Sequence, residues 1–217
     1  RNLAHEIKNP LGGIRGSAQL LERELDDPQL REYTQVIIAE ADRLQELMSR
    51  LLTSHRMMQP TQLNLHDVIE RVRRLILAEF PSIEVRRDYD TSLPTVTGDR
   101  EQLIQAILNV ARNAAQAMQG CGEIVMRTRA ARQVTLAKRR FKLAVQLQVI
   151  DNGPGIPDDI RDRIFYPLVS GRENGSGLGL SLAQSFIEQH QGAIEVESRP
   201  GRTCFTLFIP ITRDADA

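Results

Sequence analysis

Near residue 60 the hydrophobic repeat of this chain changes period, and that change constrains its fold more than any other feature. Upstream, Leu3, Ile7, Leu11, Ile14, Ala18, Leu21 and Leu25 recur at spacings of three and four. After Asp26-Asp27-Pro28 a second stripe runs through Leu30, Tyr33, Ile37, Ala41, Leu44, Met48 and Leu51. Both are single faces of a 3.6-residue helix, and Asp27 before Pro28 is a helix-start signal. Residues 1–58 therefore predict an antiparallel helical hairpin, which has too little partner surface to bury both stripes by itself. Pairing two copies as a dimeric four-helix bundle solves this; packing on the downstream domain is the alternative. From Met57 to Asn64 the pattern lapses, with Pro60 in the gap, which sets a boundary between domains 1–58 and 59–217.

Beyond the boundary, apolar residues alternate with polar ones at Ile83 and Val85, and again through Phe141, Leu143, Val145, Leu147 and Val149. This is the signature of half-buried strands. Helical spacing covers residues 65–79, 99–118 and 178–190, and Thr203 to Ile209 again reads as strand. Alternating strands and helices predict an α/β sandwich with helices over one face of a mixed sheet. The chain has 217 residues with 41% apolar content, enough for a real core. Its formal net charge of zero removes the broad attraction that nonspecific nucleic-acid binding requires. Cys121 and Cys204 show neither metal-ligand spacing nor a disulfide framework, which fits a reducing compartment. No run of eighteen apolar residues or secretory signal is visible, and Arg1 is not a natural start, so the chain reads as a fragment.

His5-Glu6-Ile7-Lys8-Asn9-Pro10-Leu11 carries the first candidate chemistry. At about 100° per residue, His5 falls opposite the apolar stripe, with Asn9 one turn further along nearly the same line. Glu6 lies about a quarter turn away. A nucleophilic imidazole needs a free nitrogen, access and an orienting acceptor. Pro10 removes a helix hydrogen bond beside that group, at roughly 3 kcal/mol in an ordinary helix interior, which suggests a bend. An ordinary exposed histidine is the competing reading for His5 taken alone.

Further along, Asn109 and Asn113 lie four apart on one face of an otherwise apolar helix. An amide oxygen can ligate Mg²⁺ and an amide nitrogen can bind a phosphate oxygen, neither adding charge to a triphosphate. Asp151-Asn152-Gly153-Pro154-Gly155 follows the strongest strand pattern. There a carboxylate accepts from the exocyclic amine of adenine, while Gly153 and Gly155 let backbone approach a flat ligand; a plain turn is the alternative. Gly175-Ser176-Gly177-Leu178-Gly179-Leu180 leads into a helix, exposing amides at its positive end where phosphate is favoured. The spacing fits neither the dinucleotide fingerprint nor the P-loop.

In this order, histidine box, paired asparagines, Asp-x-Gly-x-Gly, Phe165-Tyr166-Pro167 and the glycine run, the chain resembles a two-component sensor histidine kinase over nearly its whole length. The resemblance implies a dimerisation and phosphotransfer hairpin followed by an ATP-binding domain of the Bergerat type shared with gyrase, Hsp90 and MutL. It implies that His5 takes the γ-phosphoryl group of ATP with Glu6 as base, and that Asn109 and Asn113 hold Mg²⁺ and phosphates, Asn109 as the metal ligand. Asp151 would read adenine, while Gly153, Gly155, Arg172, Gly175, Gly177, Leu178 and Gly179 would shape the pocket and its lid. Glu6-x-x-Asn9 resembles the motif of bifunctional kinases that also dephosphorylate their regulators. Tyr166-Pro167-Leu168-Val169-Ser170-Gly171-Arg172-Glu173 is similar to the nitrogen-regulation branch. That likeness implies a cytoplasmic homodimer with an NtrC-like response regulator and a PII signalling protein as partners, and a missing sensor domain.

Two other readings remain open from residues alone: a different Bergerat ATPase or serine kinase, and a noncatalytic nucleotide-binding scaffold. Arg172 is either a phosphate contact or a solvated charge. Between Arg127 and Lys142 lie seven basic residues and no acidic one, read as a solvated hairpin or a docking surface. His55 and His66 read as ordinary helix-end residues. His190 is expected to close a helix, where partial positive charge is favourable.

Overall fold

The computed structural model describes the backbone of residues 2–53, 58–169 and 177–211. It divides into two compact units, Arg1–Arg56 and Met57–Ala217.

The first unit is a pair of helices, α1 (Asn2–Glu24) and α2 (Pro28–Thr53). Pro10 lies inside α1. At the turn Asp27 Oδ1 accepts from Gln29 N at 2.8 Å, satisfying one of the free amides that open α2. Arg15 and Asp42 pair across the two helices at 2.6 Å. The inner face is narrow and small, with Ala18, Thr34 and Ala41 buried. Several large apolar residues of the two stripes face outward in the single chain: Ile14, Leu21, Leu30, Tyr33, Ile37 and Leu44 are exposed.

The second unit contains a two-stranded sheet of β1 (Thr61–Leu63) and β3 (Val96–Gly98), and a five-stranded sheet. In the latter, β2 (Ile83–Asp88), β4 (Gly122–Leu136), β5 (Arg139–Asp151), β7 (Arg202–Pro210) and β6 (Ala193–Arg199) follow in spatial order. Only β2 and β4 run parallel. Helices α3 (Leu65–Glu79), α4 (Arg100–Ala117) and α6 (Gly179–Gln189) supply the helical layer, with a single turn α5 (Asp158–Arg161). The core lies between the layers: Val68, Ile69, Val72 and Ile76 of α3 and Leu103, Ala106, Ile107 and Val110 of α4 are sealed from solvent, as are Ile124, Met126, Leu147 and Leu207 of the sheet. The helix layer on a mixed sheet is the sandwich that the periodicity predicts.

The β4–β5 ladder continues to Leu136 opposite Arg139, whereas β2 covers β4 only as far as Arg127 and β7 covers β5 only from Ala144. The basic segment is thus a ribbon that outruns the sheet. Arg127 and Arg129 both pair with Asp88, at 2.6 and 2.7 Å, and hold its carboxyl below its usual range.

Candidate active site

Three elements meet at one end of the second unit. Strand β5 ends in Asp151, which is buried at 4% exposure. Burial pushes its carboxyl upward in pKa, against a hydrogen bond from Gly153 N at 2.9 Å that favours the charged form. Gly153 is required here by space: a Cβ would stand 2.8 Å from Asp151 Oδ1 and 3.1 Å from Met118 Cγ.

The turn after Asp151 is pinned by the β6–β7 hairpin. Gly201 N donates to Gly153 O at 2.9 Å and Ile156 N to Ser198 Oγ at 2.8 Å. Gly155, at φ +91°, lies against the Arg199 backbone, where a Cβ would come within 3.0 Å. Any side chain at Gly155 would be both strained and crowded.

On α4, Asn109 is buried at 7% exposure. Its Oδ1 accepts from Gln105 Nε2 at 2.9 Å, and its Nδ2 is sealed from water with no hydrogen-bond partner. An orphaned buried donor costs about 1–3 kcal/mol, and a ligand that completes it is one reason for a protein to retain it. Asn113, one turn on, is half-buried and has a partner of its own. Helix α6 begins at Gly179 with no side-chain cap, and a Cβ on Gly179 would rest in van der Waals contact with Asn109 at 3.9 Å. The uncapped positive end of a helix and an unpaired amide donor beside it suit phosphate oxygens. Turning both the Asn109 and Gln105 amides over would instead present an oxygen, the donor type Mg²⁺ takes. The residues present therefore fit a magnesium nucleotide. Among the described residues no cluster of three His, Cys, Asp or Glu offers an alternative metal site.

Gly177 and Leu178 bring the chain into α6. Gly177 sits at φ +64°, and its carbonyl accepts from Leu168 N at 3.0 Å, closing the base of the segment between them. Leu168 is itself left-handed at φ +66° and 69% exposed beside the exposed Tyr166, while Phe165 turns inward, edge-on to Phe205 at 6.4 Å. Leu178 is buried. Arg172 and Gly175 lie outside the described residues. In the first unit, His5 and Glu6 fall on α1 but their side chains are outside the described residues; Asn9 is exposed on the same helix.

Two family profiles match the chain in this order: His Kinase A (phospho-acceptor) domain over residues 1–60, and Histidine kinase-, DNA gyrase B-, and HSP90-like ATPase over residues 98–213. The chain belongs to the histidine kinases. The chain is 53% identical over 216 residues to the sensory histidine kinase/phosphatase NtrB of Vibrio alginolyticus, covering 98% of this chain and 62% of that protein. It is 54% identical to NtrB of Klebsiella oxytoca, with the same coverage, and 44% identical to NtrB of Rhodobacter capsulatus, covering 96% of this chain and 60% of that one. The chain thus spans about three fifths of the length of these curated relatives. Among solved structures it is similar to full-length ShkA in complex with AMPPNP, with a TM-score of 0.70 at 26% identity over 95% of this chain and 44% of that one. A second likeness is to histidine kinase ThkA in complex with response regulator protein TrrA, at a TM-score of 0.65 and 28% identity over 97% of this chain and 60% of that one. The expected fold, helical hairpin followed by Bergerat sandwich, is the fold of the family. Among the described residues no helix is long and apolar enough to cross a membrane.

Residue by residue, the chain holds several contacts that periodicity did not single out. His66 is no plain helix-end residue: its Nε2 meets Thr128 Oγ1 at 3.0 Å and its ring stacks on Tyr89 at 5.0 Å. His190 caps α6 as expected, but not as a cation. Buried at the helix end, it has its pKa lowered by desolvation, and a neutral ring donates Nδ1–H to Phe186 O at 2.7 Å. His55 lies outside the described residues.

Proposed function

We infer that this chain is the phosphotransfer and catalytic portion of an NtrB-like kinase and phosphatase. Residues 1–58 would form the dimerisation and phosphoacceptor hairpin and residues 59–217 the ATP-binding domain, in the cytoplasm. The observation that carries the nucleotide reading is the orphaned Nδ2 of Asn109 beside the uncapped start of α6.

In this reading Asp151 accepts from the adenine amine. Guanine, with a carbonyl at that position, would set two acceptors face to face. Gly153 and Gly155 keep the base pocket open, while Asn109, Asn113, Arg172 and the backbone at Gly175, Gly177, Leu178 and Gly179 bind the phosphates. Asn109, through its amide oxygen, would hold a Mg²⁺ that neutralises the triphosphate when bound. His5 attacks the γ-phosphorus through an imidazole nitrogen, so that a P–N bond forms as the bond to the β–γ bridging oxygen breaks and ADP leaves. Glu6 takes the displaced imidazole proton, a contribution of about 10²-fold; positioning and charge stabilisation carry the rest.

The phosphoryl group then passes to an aspartate of an NtrC-like response regulator; in the opposing phosphatase reaction Asn9 orients water on that phosphoaspartate, which hydrolyses to the free carboxylate and inorganic phosphate. A PII signalling protein sets the balance. Exposed apolar residues on both hairpin helices support homodimerisation.

The test is incubation with Mg-ATP and mapping of acid-labile, base-stable phosphate, with Asp151→Asn as control. Phosphate on His5 that disappears in the variant is expected. A bare His5 in a chain that binds ATP would remove the kinase reading and leave a nucleotide-binding scaffold.

A further inference from the structure

Helix α6 carries proposed phosphate contacts at its start, beside Asn109 midway along α4, and at its other end it is tied to the start of α4 by a partly buried set of hydrogen bonds that the nucleotide reading does not use. Asp99 is the N-cap of α4: its Oδ1 accepts from Glu101 N at 3.0 Å and Gln102 N at 3.1 Å. The second carboxylate oxygen accepts from Gln59 N at 2.9 Å, in the segment that leads from the first unit into β1. The Asp99 backbone N–H donates to His190 Nε2 at 2.9 Å. Because a backbone amide can only donate and the Phe186 carbonyl can only accept, the ring carries its proton on Nδ1 and bridges α4 to α6. Gln102 Nε2 adds a second tie to Gln189 Oε1 at 3.0 Å.

The space around this bridge is full. A Cβ on Gly98 would stand 2.8 Å from His190 Cδ2 and 2.9 Å from Leu103 Cδ1, so the ring has one seat. At a rise of 1.5 Å per residue, Asn109 lies about 15 Å along α4 from Asp99. A helix is stiff over that length, so a shift at its capped end moves Asn109 relative to Gly179.

We propose that Gln59, Asp99 and His190 form a clasp through which the segment entering the ATP-binding domain sets α4 against α6 and thereby controls nucleotide affinity. All three are positioning residues, touching no substrate. Linkage makes the effect reciprocal: nucleotide that favours the clasped arrangement must protect the clasp by the same factor. The inference rests on the nucleotide reading of the site.

Its test uses the full chain and a nonhydrolysable ATP analogue with Mg²⁺. Hydrogen exchange at the Gln59 and Asp99 amides should slow when the analogue binds. Asp99→Asn keeps an oxygen for the α4 cap and replaces the acceptor for Gln59 with an NH₂; it should weaken analogue binding about fivefold or more. His190→Gln, which retains an acceptor, should bind close to the unsubstituted chain, whereas His190→Leu should match Asp99→Asn. Should Asp99→Asn fail to fold, the two His190 variants carry the comparison. Unchanged affinity in the variants, or exchange at Gln59 indifferent to the analogue, overturns the clasp while leaving the nucleotide site standing. If the unsubstituted chain does not bind the analogue, the nucleotide reading fails and the clasp with it.

Discussion

Gln105 donates Nε2–H to Asn109 Oδ1 at 2.9 Å, and this bond leaves the other end of the Asn109 amide as a sealed donor without a partner. Stability and function therefore pull in opposite directions at this position. Asn109→Leu removes the orphan and keeps the branched shape, so it is expected to raise the urea midpoint, by about 1 kcal/mol in stability, while abolishing Mg-ATP binding. Gln105 is half-buried and can turn to water. Denaturation and calorimetric titration of one preparation check both halves; a lower midpoint would mean that Nδ2 is already satisfied in the free protein.

Asp151 is held above the ordinary carboxylate range by burial. A group with a raised folded pKa contributes stability that is present below its unfolded value of 3.8 and lost as pH rises through the folded value. Asp151→Asn should thus gain on the unsubstituted protein in the same pH interval. Nucleotide affinity should move the opposite way, falling on acidification as the carboxylate loses its charge. Stability and ATP titrations from pH 4 to 7 on both proteins test this, and parallel stability curves would exclude it.

Much of this fold was legible because long elements carry strong periodicity. The expected helices 65–79, 99–118 and 178–190 correspond to Leu65–Glu79, Arg100–Ala117 and Gly179–Gln189. Strands β1 and β3 have three residues each, too few for an alternation to register. The clasp was invisible for a different reason: Gln59 and Asp99 lie 40 positions apart, Asp99 and His190 91, and spacing rules describe only neighbours on one element. His190 closes its helix as expected, but a helix-end rule that favours positive charge there knows nothing of burial, which here lowers its pKa. The left-handed Leu168 gives no sequence signal, since leucine rarely adopts that conformation.

Gly177 joins the lid base to α6 at φ +64°, and a Cβ there would fall 2.5 Å from Leu168 C. Gly177→Ala combines an unfavourable backbone region with a clash against backbone that cannot move aside, a local cost of about 1–3 kcal/mol. If the lid base must hold this shape to bind phosphate, ATP affinity should drop about tenfold, with little change in the melting of the sheet core. Equal affinity in the variant would separate Gly177 from the site.

The outward apolar faces of α1 and α2 predict their own failure mode. Ile37→Lys places a charge among Leu30, Tyr33 and Leu44, all exposed in the single chain. It should shift the protein from dimer to monomer in light scattering at micromolar concentration, with nucleotide affinity unaltered because Ile37 belongs to the other unit. A variant that remains dimeric would place the dimer contact elsewhere.

His190 gives a pH dependence of opposite sign to that of Asp151. Burial lowers its pKa below 6.5, against smaller opposing effects from the Phe186 carbonyl and the Asp99 charge. The unfolded chain therefore binds the proton more readily than the native one. By linkage, the stability held in the neutral ring is complete above pH 6.5 and is lost as pH falls from there toward the folded value. The slope from one such group cannot exceed about 1.4 kcal/mol per pH unit. Urea midpoints between pH 8 and 5 should consequently fall more steeply for the unsubstituted protein than for His190→Gln, which has no proton to gain. Carboxylates such as Asp88 and Asp90, both held low by hydrogen bonds, weaken the fold on acidification in both proteins and cancel in the difference. Curves that stay parallel through this range would mean that the ring is already charged in the native state, and a charged ring has no lone pair to accept the Asp99 amide.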